Sequence, residues 1–144
     1  MQTFLPYEDF AKSAQSLDRT RLGKQRVETL QIMKALVDPS YGWQNHPAVK
    51  MWRGHEFYLL EYQRAVCNEW TSRGYVDTCL DKTIAAMAGQ PMRTARPEWL
   101  GNEEFHLSHR SNLTRKNPDH YNKYWNVDDS LPYIWPAERI LVNG

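Results

Sequence analysis

Between Leu17 and Leu36 the chain reads Leu-Asp-Arg-Thr-Arg-Leu-Gly-Lys-Gln-Arg-Val-Glu-Thr-Leu-Gln-Ile-Met-Lys-Ala-Leu, with no proline and with Leu, Ile and Met recurring every three or four residues. That spacing predicts one long amphipathic helix. At about 100° per residue, Leu22, Leu30, Met33, Leu36 and Val37 fall on one side, and Arg21, Lys24, Gln25, Glu28 and Gln31 on the other. Arg26 projects from the apolar side. An arginine cannot shed its charge, so two arrangements are open: the stem lies along the core with its head in water, or this side of the helix faces a charged cleft. Residues 12–34 hold six Lys or Arg and two acids, Asp18 and Glu28. A field of that sign suits a phosphodiester backbone.

A length of 144 residues fits a single domain spanning 1–144, with one substantial core. The net charge is only +1, so any nucleic-acid surface must be local. Six Trp and eight Tyr are many for a chain of mean hydropathy −0.74, and such rings offer stacking faces as well as buried area. Cys67 and Cys79 make no disulfide framework and fit a reducing cytoplasm. Nothing resembles a signal peptide or a membrane span. A soluble, cytoplasmic monomer is expected.

Taken in order, Met1 to Tyr7 is a short extended lead-in, and Glu8 to Ser16 has helical spacing at Phe10, Ala11 and Ala14. Residues 38–42 are a turn by composition, and Asn45-His46-Pro47 is an N-cap region with Pro47 at the first helical position. The longest helix is predicted from Ala48 to Ser72, its stripe made by Val49, Trp52, Leu59, Leu60, Val66, Cys67 and Trp70, with Gly74 as a left-handed cap. Glu56 and Gln63 interrupt the stripe, and pairing Glu56 with Arg26 would account for two misplaced charges at once. Asp81–Ala88 and Leu107–Lys116 are shorter helices, separated by a connector containing Pro91 and Pro97. The expected fold is mostly α: a compact bundle of three to five helices with an irregular, aromatic-rich C-terminal segment.

That segment is the second place where chemistry concentrates. Phe105–Trp125 carries Arg110, Arg115, Lys116 and Lys123 against one acid, Asp119, with Tyr121, Tyr124 and Trp125 close behind. Basic groups interleaved with aromatic rings neutralise phosphates and stack bases; the same rings also serve to pack a tail on the helices. His106, His109 and His120 have no Cys or His partner at zinc-site spacing, so no metal is expected. No phosphate-binding glycine loop or nucleophile elbow is present.

The order of these features resembles the phage-type pyrimidine-dimer DNA glycosylases with abasic-site lyase activity. The resemblance rests on the short N-terminal lead, Leu22-Gly-Lys-Gln-Arg-Val-Glu28, Arg53-Gly-His-Glu-Phe-Tyr58, Glu69-Trp-Thr-Ser-Arg-Gly-Tyr75 and the Ser108–Trp125 segment. It implies a compact helical DNA-repair enzyme that needs no cofactor and acts on double-stranded DNA. The family's nucleophile is the N-terminal α-amine, which titrates near pH 8, well below a lysine. Carried onto this chain, the catalytic groups are Met1, Glu28 as the carboxylate, and Arg26. The DNA contacts are Arg21, Lys24, Gln25, His55, Arg110, Arg115, Lys116, Tyr121, Tyr124 and Trp125.

Two features differ from the family pattern. Gln2 is bulky, so Met1 is retained and the amine sits one residue further out. Lys24-Gln25-Arg26-Val27-Glu28 replaces an adjacent Arg-Glu pair, so either Glu28 or, one turn earlier, Gln25 takes the carboxylate's place, with Lys24 as a second candidate amine. The alternatives to a glycosylase-lyase are a non-catalytic nucleic-acid-binding module and a base-modifying enzyme on the same scaffold.

Overall fold

The proline-free stretch forms a helix over Arg19–Val37 (α2), within two residues of its expected start. A computed structural model describes residues 1–138; residues 139–144, the end of the span assigned to one domain above, lie outside the described residues. The other helices are α1 (Phe10–Ser16), α3 (Pro47–Lys50), α4 (Glu56–Ser72), α5 (Cys79–Met87), α6 (Glu103–Lys116) and α7 (Pro118–Tyr121). No strand occurs among the described residues. The helices number seven rather than three to five, and the excess lies in α3 and α7, single turns of four residues each opened by a proline.

Helix α2 packs against both α4 and α5, which corrects its expected polar face. A helix with two neighbours buries more than one stripe. Gln25, Thr29 and Ile32 are therefore enclosed along with Leu22, Leu30 and Met33, while Val27 is left exposed. Arg26 is half-buried, but its partner is not Glu56. Its Nε donates to Asp77 Oδ1 at 2.7 Å, and its guanidinium lies 4.7 Å from the Trp70 ring centre. Glu56 instead accepts the Arg93 backbone N–H at 3.2 Å, as the first-turn acid of α4. Gln63 donates to the Arg26 carbonyl at 3.2 Å, so the second polar interruption does join α4 to α2, through the backbone.

The helix expected over Ala48–Ser72 is broken. Gly54 adopts φ +88° and His55 is non-helical, so α4 restarts at Glu56 and α2 is the longer helix. The break lets Trp52 turn fully inward, where its Nε1 donates to Thr3 Oγ1 at 3.0 Å. The first two helices are also distinct. Leu17 and Asp18 are extended because Tyr121 claims Asp18, accepting its N–H at 3.0 Å and donating to its carboxylate at 2.5 Å. Gly74, at φ +96°, ends α4 as expected.

The lead-in is the element that positions everything else. Thr3 and Leu5 are fully buried, and Gln2 and Phe4 nearly so. An extended segment has no internal backbone partners, so side chains from three helices supply them. Gln25 of α2 and Tyr62 of α4 hold Phe4, while α6 provides His109 for the Leu5 N–H at 2.9 Å, His106 for the Leu5 carbonyl at 2.7 Å and Arg110 for the Pro6 carbonyl at 2.7 Å. One hydrophobic cluster runs from Phe4 and Leu5 through Trp52, Tyr62 and Trp99 to Tyr121. Among the described residues no helix is long and apolar enough to cross a membrane.

Candidate active site

Gln25 fixes the first residues of the chain. A glutamine amide offers two donors and two acceptor positions, and here all four are used. Nε2 donates to the Gln2 carbonyl and to Glu28 Oε2, both at 2.8 Å, while Oε1 accepts the Phe4 N–H at 2.8 Å and, at the same distance, shares the single Tyr62 hydroxyl proton with the Phe4 carbonyl. One side chain therefore ties the N-terminal segment to the Glu28 carboxylate. Met1 and Glu28 border one cleft of about 420 Å³, together with Gln2, Phe4, Thr20, Arg21, Lys24, His46, Lys116, Tyr133 and Trp135. Thr20, Lys24 and Glu28 also border a hollow of about 740 Å³ that runs over α2 past Arg19, Val27 and Trp70.

Burial raises the Glu28 carboxyl above its ordinary 4.5, opposed by the N-terminal amine, the Gln2 backbone N–H, Lys24 and the Gln25 amide. Burial and the amine thus pull this carboxyl in opposite directions, and burial prevails. His46 caps α3 through Nδ1, which accepts the Ala48 N–H at 3.0 Å, so its other nitrogen carries the proton. Burial, and then the N-terminal amine, lower its pKa. Burial pushes the Tyr133 hydroxyl up to about 12, so at neutral pH it stays protonated.

Of the residues singled out from the sequence, Met1, Glu28, Arg21, Lys24 and Lys116 meet at this cleft. Arg21 also pairs with Asp18 at 3.1 Å and keeps its side chain 23 % exposed. Arg26 does not line the cleft; the Asp77 ion pair and the Trp70 ring make it a brace between α2 and the start of α5. Gln25 and Tyr121 are fully enclosed, so they hold protein groups rather than a duplex. His55 binds the Ala95 carbonyl at 2.7 Å, on a different cleft beside Lys50 and Arg53. Arg110 pairs with Glu103 and holds Pro6, and Arg115 bonds Asn112 and the Asp129 carbonyl. Trp125 stacks on Tyr121 with ring centres 5.4 Å apart and donates to Thr114, leaving Tyr124 exposed next to His120.

Sequence reasoning missed His46, Tyr133 and Trp135 as cleft residues. The signal for the last two lies on α6. Ser108, Ser111, Asn112 and Arg115 recur at helical spacing and bind the tail: Ser108 takes the Ile134 N–H at 3.2 Å, Ser111 the Leu131 N–H at 3.0 Å, and Asn112 the Leu131 carbonyl at 3.0 Å. A row of small polar residues on a buried helix face is a docking strip for backbone. The three histidines are occupied likewise: His106 and His109 by the lead-in and His120 by the Ser16 carbonyl. Among the described residues no group of three His, Cys, Asp or Glu side chains is arranged to hold a metal.

The His109 contact makes the lead-in acid-sensitive. Full burial, then the neighbouring His106, lower the His109 pKa from 6.5 to about 3. The unfolded chain therefore takes up the proton first, so this contribution is complete above about pH 6.5 and is lost as pH falls toward 3. The slope is at most about 1.4 kcal/mol per pH unit. Denaturant titrations between pH 7 and 4 are expected to show that decline, and His109→Gln, lacking the titrating ring, is expected to flatten it.

A family model described as pyrimidine dimer DNA glycosylase matches residues 1–83, the part of the chain that carries Met1, Lys24, Glu28 and His46. No curated protein and no solved structure matches the chain.

Proposed function

The chain belongs to the pyrimidine dimer DNA glycosylase family, and from that membership we propose that it excises a damaged or modified pyrimidine from duplex DNA and then cuts the abasic product through a Schiff base. The observation that carries this reading is the meeting of Met1 and Glu28 in one cationic cleft, enforced by Gln25. The α-amine of Met1 attacks C1′ of the extruded nucleotide as the bond to the base breaks, and the base leaves with a proton. The ring C1′–O4′ bond then breaks, O4′ taking up a proton as the nitrogen lone pair forms the iminium with C1′. Glu28 then removes a proton from C2′, the electron pair forms a C1′–C2′ enamine, and the C3′–O bond breaks to release phosphate. Hydrolysis of the remaining imine returns the amine. Arg21, Lys24 and Lys116 hold the phosphates around the site.

Borohydride tests this directly. Incubated with an abasic-site duplex and reductant, the protein is expected to form a covalent adduct, and peptide mass spectrometry is expected to place the sugar on Met1. Intact mass of the free protein fixes which residue opens the mature chain. Lys24 borders the same cleft, so an adduct mapped there would move the nucleophile one side chain along while keeping the chemistry. Absence of an adduct, with salt-sensitive duplex binding retained, would overturn the lyase in favour of a binding module. Base release without an adduct would point to Glu28 activating water.

A further inference from the structure

Trp43 combines a backbone conformation that side chains avoid with an exposed indole. Among the described residues it is the one non-glycine with a positive φ, +70°, a region that L side chains rarely adopt. The residue is 55 % exposed, although an indole is the largest apolar surface a residue can bury. The loop around it is not slack. The two N–H groups of the Gln44 amide are shared among three carbonyls, Ala35 at 2.8 Å and Asp38 and Tyr41 at 3.0 Å. Arg53 reaches the Gln44 carbonyl at 3.3 Å, and the Trp43 carbonyl accepts the His46 N–H at 2.9 Å. A braced loop thus presents a ring that stays more than half exposed, and strain maintained in this way is found where a ligand makes use of it.

The position of the ring says which ligand. Trp43 meets His46 edge-on at 5.6 Å, and His46 meets Trp135 edge-on at 6.0 Å. His46 and Trp135 line the cleft that holds Met1 and Glu28, whereas Trp43 does not, so the indole stands just outside its mouth. The cations of that cleft, Arg21, Lys24 and Lys116, suit phosphates, and a flat ring beside them suits a base. Drawing a nucleotide into the cleft leaves a gap in the duplex stack, which is unfavourable until a planar group fills it.

We propose that Trp43 is that group: a stacking plug that enters the duplex beside the extruded nucleotide and holds the gap open. The assignment rests on the function proposed above, but one of its readouts does not need chemistry. Binding is compared for an intact duplex and for one carrying a tetrahydrofuran abasic analogue, which cannot form a Schiff base. The wild-type protein is expected to prefer the gapped duplex by about tenfold, the factor that one base–aromatic stack supplies. Trp43→Ala is expected to lose that preference, with Trp43→Phe intermediate. In single-turnover borohydride trapping, Trp43→Ala is expected to be slowed about tenfold on an abasic duplex and less than about twofold on the same strand unpaired.

Trp43→Gly separates loss of the ring from loss of the fold, because glycine accepts φ +70° freely; it is expected to melt no lower than the wild type and to match the Ala variant in binding. Equal trapping on both substrates by wild type and Trp43→Ala, or no preference for the gap in the wild type, overturns the plug. Loss of the adduct with the gap preference intact overturns the lyase and leaves the plug standing.

Discussion

Glu28→Gln is expected to bind abasic duplex as the wild type does while strand cleavage falls by about 10²- to 10⁴-fold, the usual contribution of a general base. Glutamine matches the carboxylate in shape, but it cannot take the C2′ proton. The amine is untouched, so borohydride should still capture the sugar even though the strand no longer breaks. Capture and cleavage measured on one substrate therefore separate the two roles. Unchanged cleavage would place proton abstraction on another group. The same variant carries a pH signature. Burial raises the folded pKa of Glu28 above its unfolded value, so its protonated form favours folding below about 4.5, and that benefit is lost as pH rises through the folded pKa. Relative to Glu28→Gln, the wild type is thus expected to gain stability on acidification, read as the difference between the two melting curves.

Gln25→Leu is expected to cost about 3–5 kcal/mol of folding free energy, because it leaves several enclosed groups without partners at once. The Phe4 N–H and the Gln2 carbonyl lose their bonds outright, and Glu28 loses a donor. Tyr62 keeps the Phe4 carbonyl, so the loss is not larger still. Urea unfolding reads the cost. Adduct formation by the surviving folded fraction is expected to fall as well, since the side-chain bridge from the Gln2 carbonyl to Glu28 is then gone. Gln25→Glu is the sharper variant. It sets a carboxylate against the Gln2 carbonyl and Glu28, so it is expected to lose both stability and trapping. A gain in activity would instead return the carboxylate's place to this position.

The elements legible in the sequence were those set by local chemistry. Proline at the first position of α3 and α7, glycine after α4, and the three-four periodicity of α2 all act within a turn or two. What periodicity cannot report is how many neighbours a helix has. One stripe was read on α2 where two helices pack, and so Gln25 was placed among surface contacts when it is the hub of the interior. The identity of a partner is equally nonlocal: Arg26 has carboxylates available at Glu56 and Asp77, and only the path of the chain after Gly74 decides for Asp77. For the candidate site, resemblance supplied Met1, Glu28, Arg21, Lys24 and Lys116. Tyr133 and Trp135 escaped it because their placement depends on backbone docking along α6. Trp43 carries no signal in the sequence, because what sets it apart is a backbone angle and an exposure.

The threading of the lead-in sets the order in which a nascent chain becomes competent. Its opening residues leave the ribosome first, yet the imidazole that receives Leu5 is 104 positions downstream. Contacts of such long sequence separation close late. A chain that ends before α6 therefore keeps the Gln25, Trp52 and Tyr62 contacts to its first residues but lacks the groups that hold Leu5 and Pro6, so the lead-in is fully seated only once α6 has been made.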